Sequence, residues 1–305
     1  MSLHIETPLL ASRPLSLASG LDIWLKLDAL QPSGSFKLRG IGLACETYAS
    51  QGKRRFVSSS GGNAGIAVAY AGRSLGLAVT VVVPETTTER AKQLIRQEQA
   101  EVIVHGKAWH EANALALSLL GDDDAYIHPF DDPLLWQGHA SMIDEVAISG
   151  FKPDAVVVAV GGGGLLSGVC EGLARNGWNQ VPVFAVETAG AASLAAAMAQ
   201  KAWVALDSVQ TVATSLAAKQ VCKRAFEWSQ ERVVYSHVVS DQDALDACER
   251  FLSDQRILVE PACGAALALA YAPSETLKRY SRVLVVVCGG VTATIDQIRQ
   301  WRTTA

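Results

Sequence analysis

The chain predicts an α/β protein with parallel-rich open sheets flanked by helices, and three observations carry that expectation. Short β-branched apolar runs alternate with longer stretches of helical period through most of the 305 residues. Several runs, Ala78 to Val83 among them, are apolar almost throughout, as strands covered on both faces are. Glycine-rich turns follow three of the runs, placing exposed backbone amides at the carboxyl ends of strands.

Taken in order, strands are expected at Arg55 to Ser58, Ala78 to Val83, Glu101 to His105, Asp154 to Val160, Val181 to Glu187, Val233 to Val239 and Arg282 to Cys288. Helices are expected at Ala64 to Leu75, Thr87 to Gln99, Lys107 to Leu120, Leu134 to Ser149, Leu165 to Asn176, Asp241 to Asp254 and Thr292 to Arg302, several opened by a polar cap. The triplet Lys53-Arg54-Arg55 reads as a solvated loop before a strand. The acidic cluster Asp122-Asp123-Asp124, with Asp131-Asp132 nearby, reads as a solvated crossover between domains. The length suits two domains, and half of the residues are apolar, enough for a large core. The expected division is a small domain, 30–131, and a larger one from 1–29 plus 132–305.

A net charge of -4 and a pI near 5.9 argue against a nucleic-acid partner. The mean hydropathy is positive, +0.20, yet stretches such as Leu77 to Val83 are strand-length and far short of a membrane span. Residues 1–6 show no basic segment leading into an apolar one, so no secretory signal is expected, and a cytoplasmic location follows. None of the six cysteines forms a C-x-x-C pair and no H-E-x-x-H occurs, so neither a redox pair nor a transition-metal site is expected.

Four sites carry candidate chemistry. In Ser33-Gly34-Ser35-Phe36-Lys37-Leu38-Arg39-Gly40 a lysine follows a small-residue turn and adjoins an aromatic ring. An apolar face beside Lys37 would disfavour the ammonium and suit a Schiff base; a solvated lysine opening a helix would read the same way. The loop Ser58-Ser59-Ser60-Gly61-Gly62-Asn63-Ala64-Gly65 can offer amides and hydroxyls to a carboxylate. Gly161-Gly162-Gly163-Gly164-Leu165 lets backbone close around a phosphate without Cβ clashes. That loop lacks the G-K-[ST] of a nucleotide-triphosphate loop and breaks the G-x-G-x-x-G register. A nicotinamide dinucleotide stays open as an alternative ligand, because Glu187 ends the next strand where a ribose-binding acid would stand. Cys288-Gly289-Gly290 closes the last apolar strand, and its thiol could serve as a neutral partner for a ring nitrogen.

These motifs, in this order, resemble the fold-type II pyridoxal-phosphate enzymes, and within them the L-serine dehydratases, or L-serine/L-threonine ammonia-lyases. The resemblance runs from Thr7-Pro8-Leu9 through Lys26-Leu27-Asp28 and the four sites to Ile257-Leu258-Val259-Glu260-Pro261-Ala262-Cys263-Gly264-Ala265. It implies a two-domain fold with the cofactor, pyridoxal 5'-phosphate, in the interdomain cleft. Lys37 would carry the Schiff base, Phe36 would pack against the pyridine ring and Asn63 would bond its phenolic oxygen. Ser60, Gly61, Asn63 and Ala64 would grip the substrate carboxylate; Gly161, Gly162, Gly163, Gly164 and Leu165 would hold the phosphate; Cys288 would face the ring nitrogen. Glu187, with carbonyls at Ala191, Leu216 and Ala218, would ligate a monovalent cation, K+ by expectation, which competes with the ribose role.

The implied reaction is α,β-elimination from L-serine to pyruvate and ammonia through an aminoacrylate, and from L-threonine to 2-oxobutanoate and ammonia, in amino-acid catabolism by a homodimer. The alternatives are a racemase or sulfhydrylase of the same fold, or a nicotinamide-dependent oxidoreductase built on Gly161–Gly164 and Glu187. Relatives speak against the first pair: cysteine synthases typically read Thr-Ser-Gly-Asn-Thr-Gly in the substrate loop, and serine racemases carry Asn-His where this chain has Asn63-Ala64.

Overall fold

The computed structural model describes residues 2–304. The chain runs β1 (Leu9–Ala11), α1 (Arg13–Ser19), β2 (Asp22–Lys26), α2 (Lys37–Ser50), β3 (Arg55–Ser58), α3 (Asn63–Leu75), β4 (Ala78–Val83), α4 (Glu89–Gln97), β5 (Glu101–Val104), α5 (Trp109–Ser118) and β6 (Asp124–Tyr126). It continues through α6 (Pro133–Ile148), β7 (Ala155–Ala159), α7 (Gly164–Arg175), β8 (Val183–Thr188), α8 (Ser193–Gln200), α9 (Lys223–Glu231), β9 (Val234–Val239), α10 (Asp241–Gln255), α11 (Pro261–Tyr271), β10 (Arg282–Val286) and α12 (Ile295–Arg302). It divides into two compact units: the described residues through Ile5 with Gln31–Gly138, and Glu6–Leu30 with the described residues from His139 onward.

The first unit is built on a four-stranded parallel sheet in the order β5-β4-β3-β6. Val57 and Val82 pack with Ala112 and Ala116 of α5 in one core cluster. The acidic cluster is not wholly a solvated crossover here. Asp124 opens β6 opposite Arg55 and takes a two-pronged bond from its guanidinium, at 3.0 and 2.5 Å, so a residue of each charged run serves strand pairing.

The second unit holds a six-stranded sheet, β1-β2-β10-β7-β8-β9, in which only β1 runs antiparallel to its neighbour. Every residue of β7 and β8 is buried, matching the apolar runs of β7 and of β8 as far as Val186. Helices whose sequences carry caps start where those caps say. Ser12, Thr88, Ser240 and Thr294 each accept an amide from the first turn of α1, α4, α10 and α12. All six cysteines are free and buried, and among the described residues no helix is long and apolar enough to cross a membrane.

Candidate active site

Lys37 is the first residue of α2, following the turn at Gly34 that the small residues predict. Its Nζ lies 5.2 Å from the Phe36 ring centroid and donates to the Pro129 carbonyl at 2.5 Å. The hydroxyls of Ser33 and Ser35, both buried, have no hydrogen-bond partner among the described residues. Next to Pro129, His128 accepts through Nδ1 from the amides of Asp131 at 2.8 Å and Phe130 at 3.2 Å. Burial, and then the Lys37 charge, push its pKa down to about 4, so the imidazole is neutral at ordinary pH.

The second motif of the same unit joins β3 to α3. Asn63 and Ala64 are buried in the first turn of α3, and no side chain caps that helix at Gly62. Close approach dictates the glycines: a Cβ at Gly65 would sit 1.9 Å from the Ser60 carbonyl oxygen, and one at Gly61 would sit 2.6 Å from the Thr87 side chain. The loop is thus folded tightly on itself, with its amides at the positive end of a helix.

In the other unit the tetraglycine run turns from β7 into α7, again without a capping side chain. A Cβ at Gly161 would meet the Ser215 carbonyl oxygen at 2.7 Å and Leu216 Cα at 2.8 Å, so this loop and the turn at Leu216 are in direct contact. Cys222 donates its amide to the Gly162 carbonyl at 2.8 Å. A helix head without a capping side chain can offer its first amides to an anion such as a phosphate.

Glu187, at the end of β8, is fully buried. Its two oxygens accept from the amides of Leu194 and Ala195, each at 2.8 Å, and burial nevertheless pushes its pKa up to about 7. Those bonds turn the carboxylate toward α8, which is not how an acid is presented to a ribose. The hydroxyl of Ser193, in the same turn, is buried without a partner. Ala191 follows two residues before Ser193, and the segment is tied to the one carrying Leu216 and Ala218 by Gln210 N to Gly190 O at 2.9 Å and by the paired hydroxyls of Thr188 and Thr211 at 2.9 Å. The structure therefore brings all four expected cation-binding positions onto two linked segments. The Leu216 carbonyl also accepts from Ala218 N at 2.7 Å, which leaves one lone pair.

Cys288 is buried beyond the end of β10. A hydrogen bond with Cys263, then burial, and then the carboxylates Glu260 and Asp28 push its thiol far above the ordinary range, so it is neutral. Glu260 precedes Pro261 at the head of α11 and accepts from Thr292 at 2.6 Å. Sequence reasoning assigned no role to Glu260, Cys263 or Thr292, nor to His128 and Pro129. An acid directly before a helix-opening proline was a usable signal for the first; the other four become visible only through tertiary contacts.

The pyridoxal-phosphate dependent enzyme family matches residues 1–289. The chain belongs to that family. An L-serine dehydratase from Dictyostelium discoideum is 45% identical over 317 residues, covering 97% of this chain and 91% of that protein. An L-serine dehydratase/L-threonine deaminase from Homo sapiens is 45% identical over 310 residues, covering 97% and 94%. Among solved structures, a fungal L-serine ammonia-lyase from Rhizomucor miehei superposes with a TM-score of 0.93 at 36% identity, over 99% of both chains. This pyridoxal-phosphate enzyme therefore has the fold-type II architecture that the motifs implied. The nicotinamide reading of Gly161–Gly164 and Glu187 falls with it.

The residues present fit the cofactor. The uncapped head of α7 suits a phosphate, Lys37 and the unpartnered hydroxyls of Ser33 and Ser35 share one turn, and the thiol of Cys288 is neutral.

Proposed function

We propose that this protein is an L-serine ammonia-lyase that releases pyruvate and ammonia from L-serine, and 2-oxobutanoate and ammonia from L-threonine. The observation that carries the reading is Lys37, held at the head of α2 beside Phe36, in a chain similar along its whole length to proteins that bear these activities in their names. When bound, pyridoxal phosphate supplies an electron sink for charge developing at the substrate Cα.

In this reading Lys37 would be the residue that holds the cofactor covalently, and its amine would move the proton at the substrate Cα. Phe36 would pack against the cofactor ring and Asn63 would bond its phenolic oxygen. Ser60, Gly61, Asn63 and Ala64 hold the substrate carboxylate at the amino end of α3. Gly161, Gly162, Gly163, Gly164 and Leu165 hold the phosphate through their amides. Cys288 would face the ring nitrogen as a neutral group, a setting that would suit β-elimination better than racemisation. Glu187, with the carbonyls of Ala191, Leu216 and Ala218, binds K+. A cation there would offset the burial that raises the Glu187 pKa, and the unpartnered Ser193 hydroxyl supports the same placement. A cytoplasmic homodimer completes the proposal, the dimer resting on the resemblance alone.

The test is release of 2-oxo acid from L-serine and from L-threonine by the protein loaded with pyridoxal phosphate in potassium buffer, beside Lys37→Ala. Product from the parent, with a loss of at least about a thousandfold in the variant, is expected. A loaded parent that releases neither 2-oxo acid would overturn the reading.

A further inference from the structure

We propose that His128 is a positioning residue for Lys37, acting through the carbonyl of Pro129. The segment from Ile127 to Asp131 is held at each step. Ile127 donates its amide to Val57 at 2.8 Å and accepts from the Ser58 hydroxyl at 3.1 Å, which docks the start of the segment on the end of β3. Trp136 donates its indole N–H to the Phe130 carbonyl at 2.9 Å, which fixes the far side. Between these anchors the chain turns around the imidazole, whose Nδ1 takes the amides of Phe130 and Asp131 together. The Pro129 carbonyl then projects to Lys37 Nζ, 2.5 Å away.

The chemistry of that contact suits a lysine that alternates between a bonded and a free state. A proline carbonyl is an acceptor whose residue has no N–H of its own, and it neither gives nor takes a proton. A bond to such an acceptor orients the lysine side chain without exchanging a proton with it. The imidazole ring packs edge-on against Phe130, 4.8 Å between centroids, with Tyr126 at 6.2 Å and Trp109 at 6.4 Å. Those rings fix the plane of the imidazole, so Nδ1 faces the two amides without a search over rotamers. His128 thereby sets the direction of the Lys37 amine without contacting substrate.

The proposal rests on Lys37 being the cofactor lysine, and its test separates the two. His128→Phe keeps a ring in the aromatic cluster and removes the acceptor; His128→Asn restores an acceptor near Nδ1. Trp136→Phe removes the independent hold on the Phe130 carbonyl. Attachment of added pyridoxal phosphate to Lys37 is followed by visible absorbance, without substrate, after thermal unfolding has shown each variant folded. His128→Phe and Trp136→Phe are expected to slow attachment about fivefold, as loss of one such hydrogen bond should, with His128→Asn within about twofold of the parent. Attachment at the parental rate in both His128→Phe and Trp136→Phe, or His128→Asn as slow as His128→Phe, would overturn the proposal. Failure of the parent itself to attach the cofactor at Lys37 would instead overturn the functional reading.

Discussion

Thr292 donates its hydroxyl to the Glu260 carboxylate at 2.6 Å, tying the turn after Cys288 to the head of α11. Gly290 lies against the same carboxylate at a φ of +112°, where a Cβ would stand 2.1 Å from the Glu260 carboxyl carbon; Gly20 also has a positive φ, +74°, but open space around it. Alanine at either position carries a backbone cost of about 1 kcal/mol. Only Gly290→Ala adds a collision, worth a further ~1 to 3 kcal/mol. Urea unfolding should rank Gly290→Ala well below Gly20→Ala, and only the former should weaken cofactor binding. Equal losses would mean that the turn yields to the extra atom.

Cys288 should tolerate serine and reject aspartate. Its thiol shares a buried cluster with Cys263, Glu260 and Asp28, whose carboxylates already help hold it neutral. An aspartate there would meet burial and like charge, both of which raise a carboxyl pKa. A raised folded pKa gives stability that is present below the unfolded value of about 3.9 and lost as pH rises through the folded value. Cys288→Asp should therefore lose about 3 kcal/mol more at pH 8 than at pH 5, whereas Cys288→Ser stays within ~1 kcal/mol of the parent. Its products from L-serine should also broaden beyond pyruvate. A pH-independent Cys288→Asp stability, or an unchanged product profile, would argue against this account of the cluster.

The parts of the fold legible in the sequence are those in which local pattern and burial agree. The runs at Ala78–Val83 and Arg282–Val286 are buried on both faces after their first residue and nearly all apolar, so they read as strands without help. β2 was missed because Asp22 and Lys26 bracket it, and Lys26 is buried only through its partners. α11 was missed for the opposite reason. It is buried nearly all round, so it has no polar face to give a helical period, and Gly264 breaks its propensity where a Cβ would strike the Ala244 carbonyl oxygen at 2.2 Å. The same holds at the site: glycine loops announce themselves locally, whereas His128 acts over 91 positions' worth of intervening fold to reach Lys37 and leaves no local signature.

Lys26 and Glu145 form an ion pair with the lysine side chain 1% exposed and the glutamate 13%. Lys26 also donates to the Thr7 carbonyl at 2.6 Å, and Thr7 donates its hydroxyl to the buried Asp28 at 2.7 Å. Removing one partner leaves the other charge buried, a loss of about 3 to 5 kcal/mol. Lys26→Met should thus destabilise strongly, and adding Glu145→Leu should recover part of the loss. Additive losses in the double variant would show that the two side chains act independently.

The pH dependence of stability should carry a signature of His128. Burial, and then Lys37, hold its pKa at about 4, below the ordinary 6.5, so the fold binds the neutral ring and resists protonation. With a folded pKa below the unfolded one, the unfolded chain takes up the proton first. The contribution is fully present above about pH 6.5 and is lost as pH falls toward 4. Carboxylates titrate over part of the same range, and Asp131, which donates its amide to the ring, has its own pKa raised by burial and Asp132. The informative quantity is therefore the difference between the parent and His128→Phe in urea unfolding at matched pH. That difference should shrink by about 2 to 3 kcal/mol between pH 7 and pH 4, because only the parent has the imidazole to protonate. A difference that stays level across the range would mean that the ring is solvated enough to take its proton in the folded state, and one that widens in acid would mean that the charged ring is held by a carboxylate.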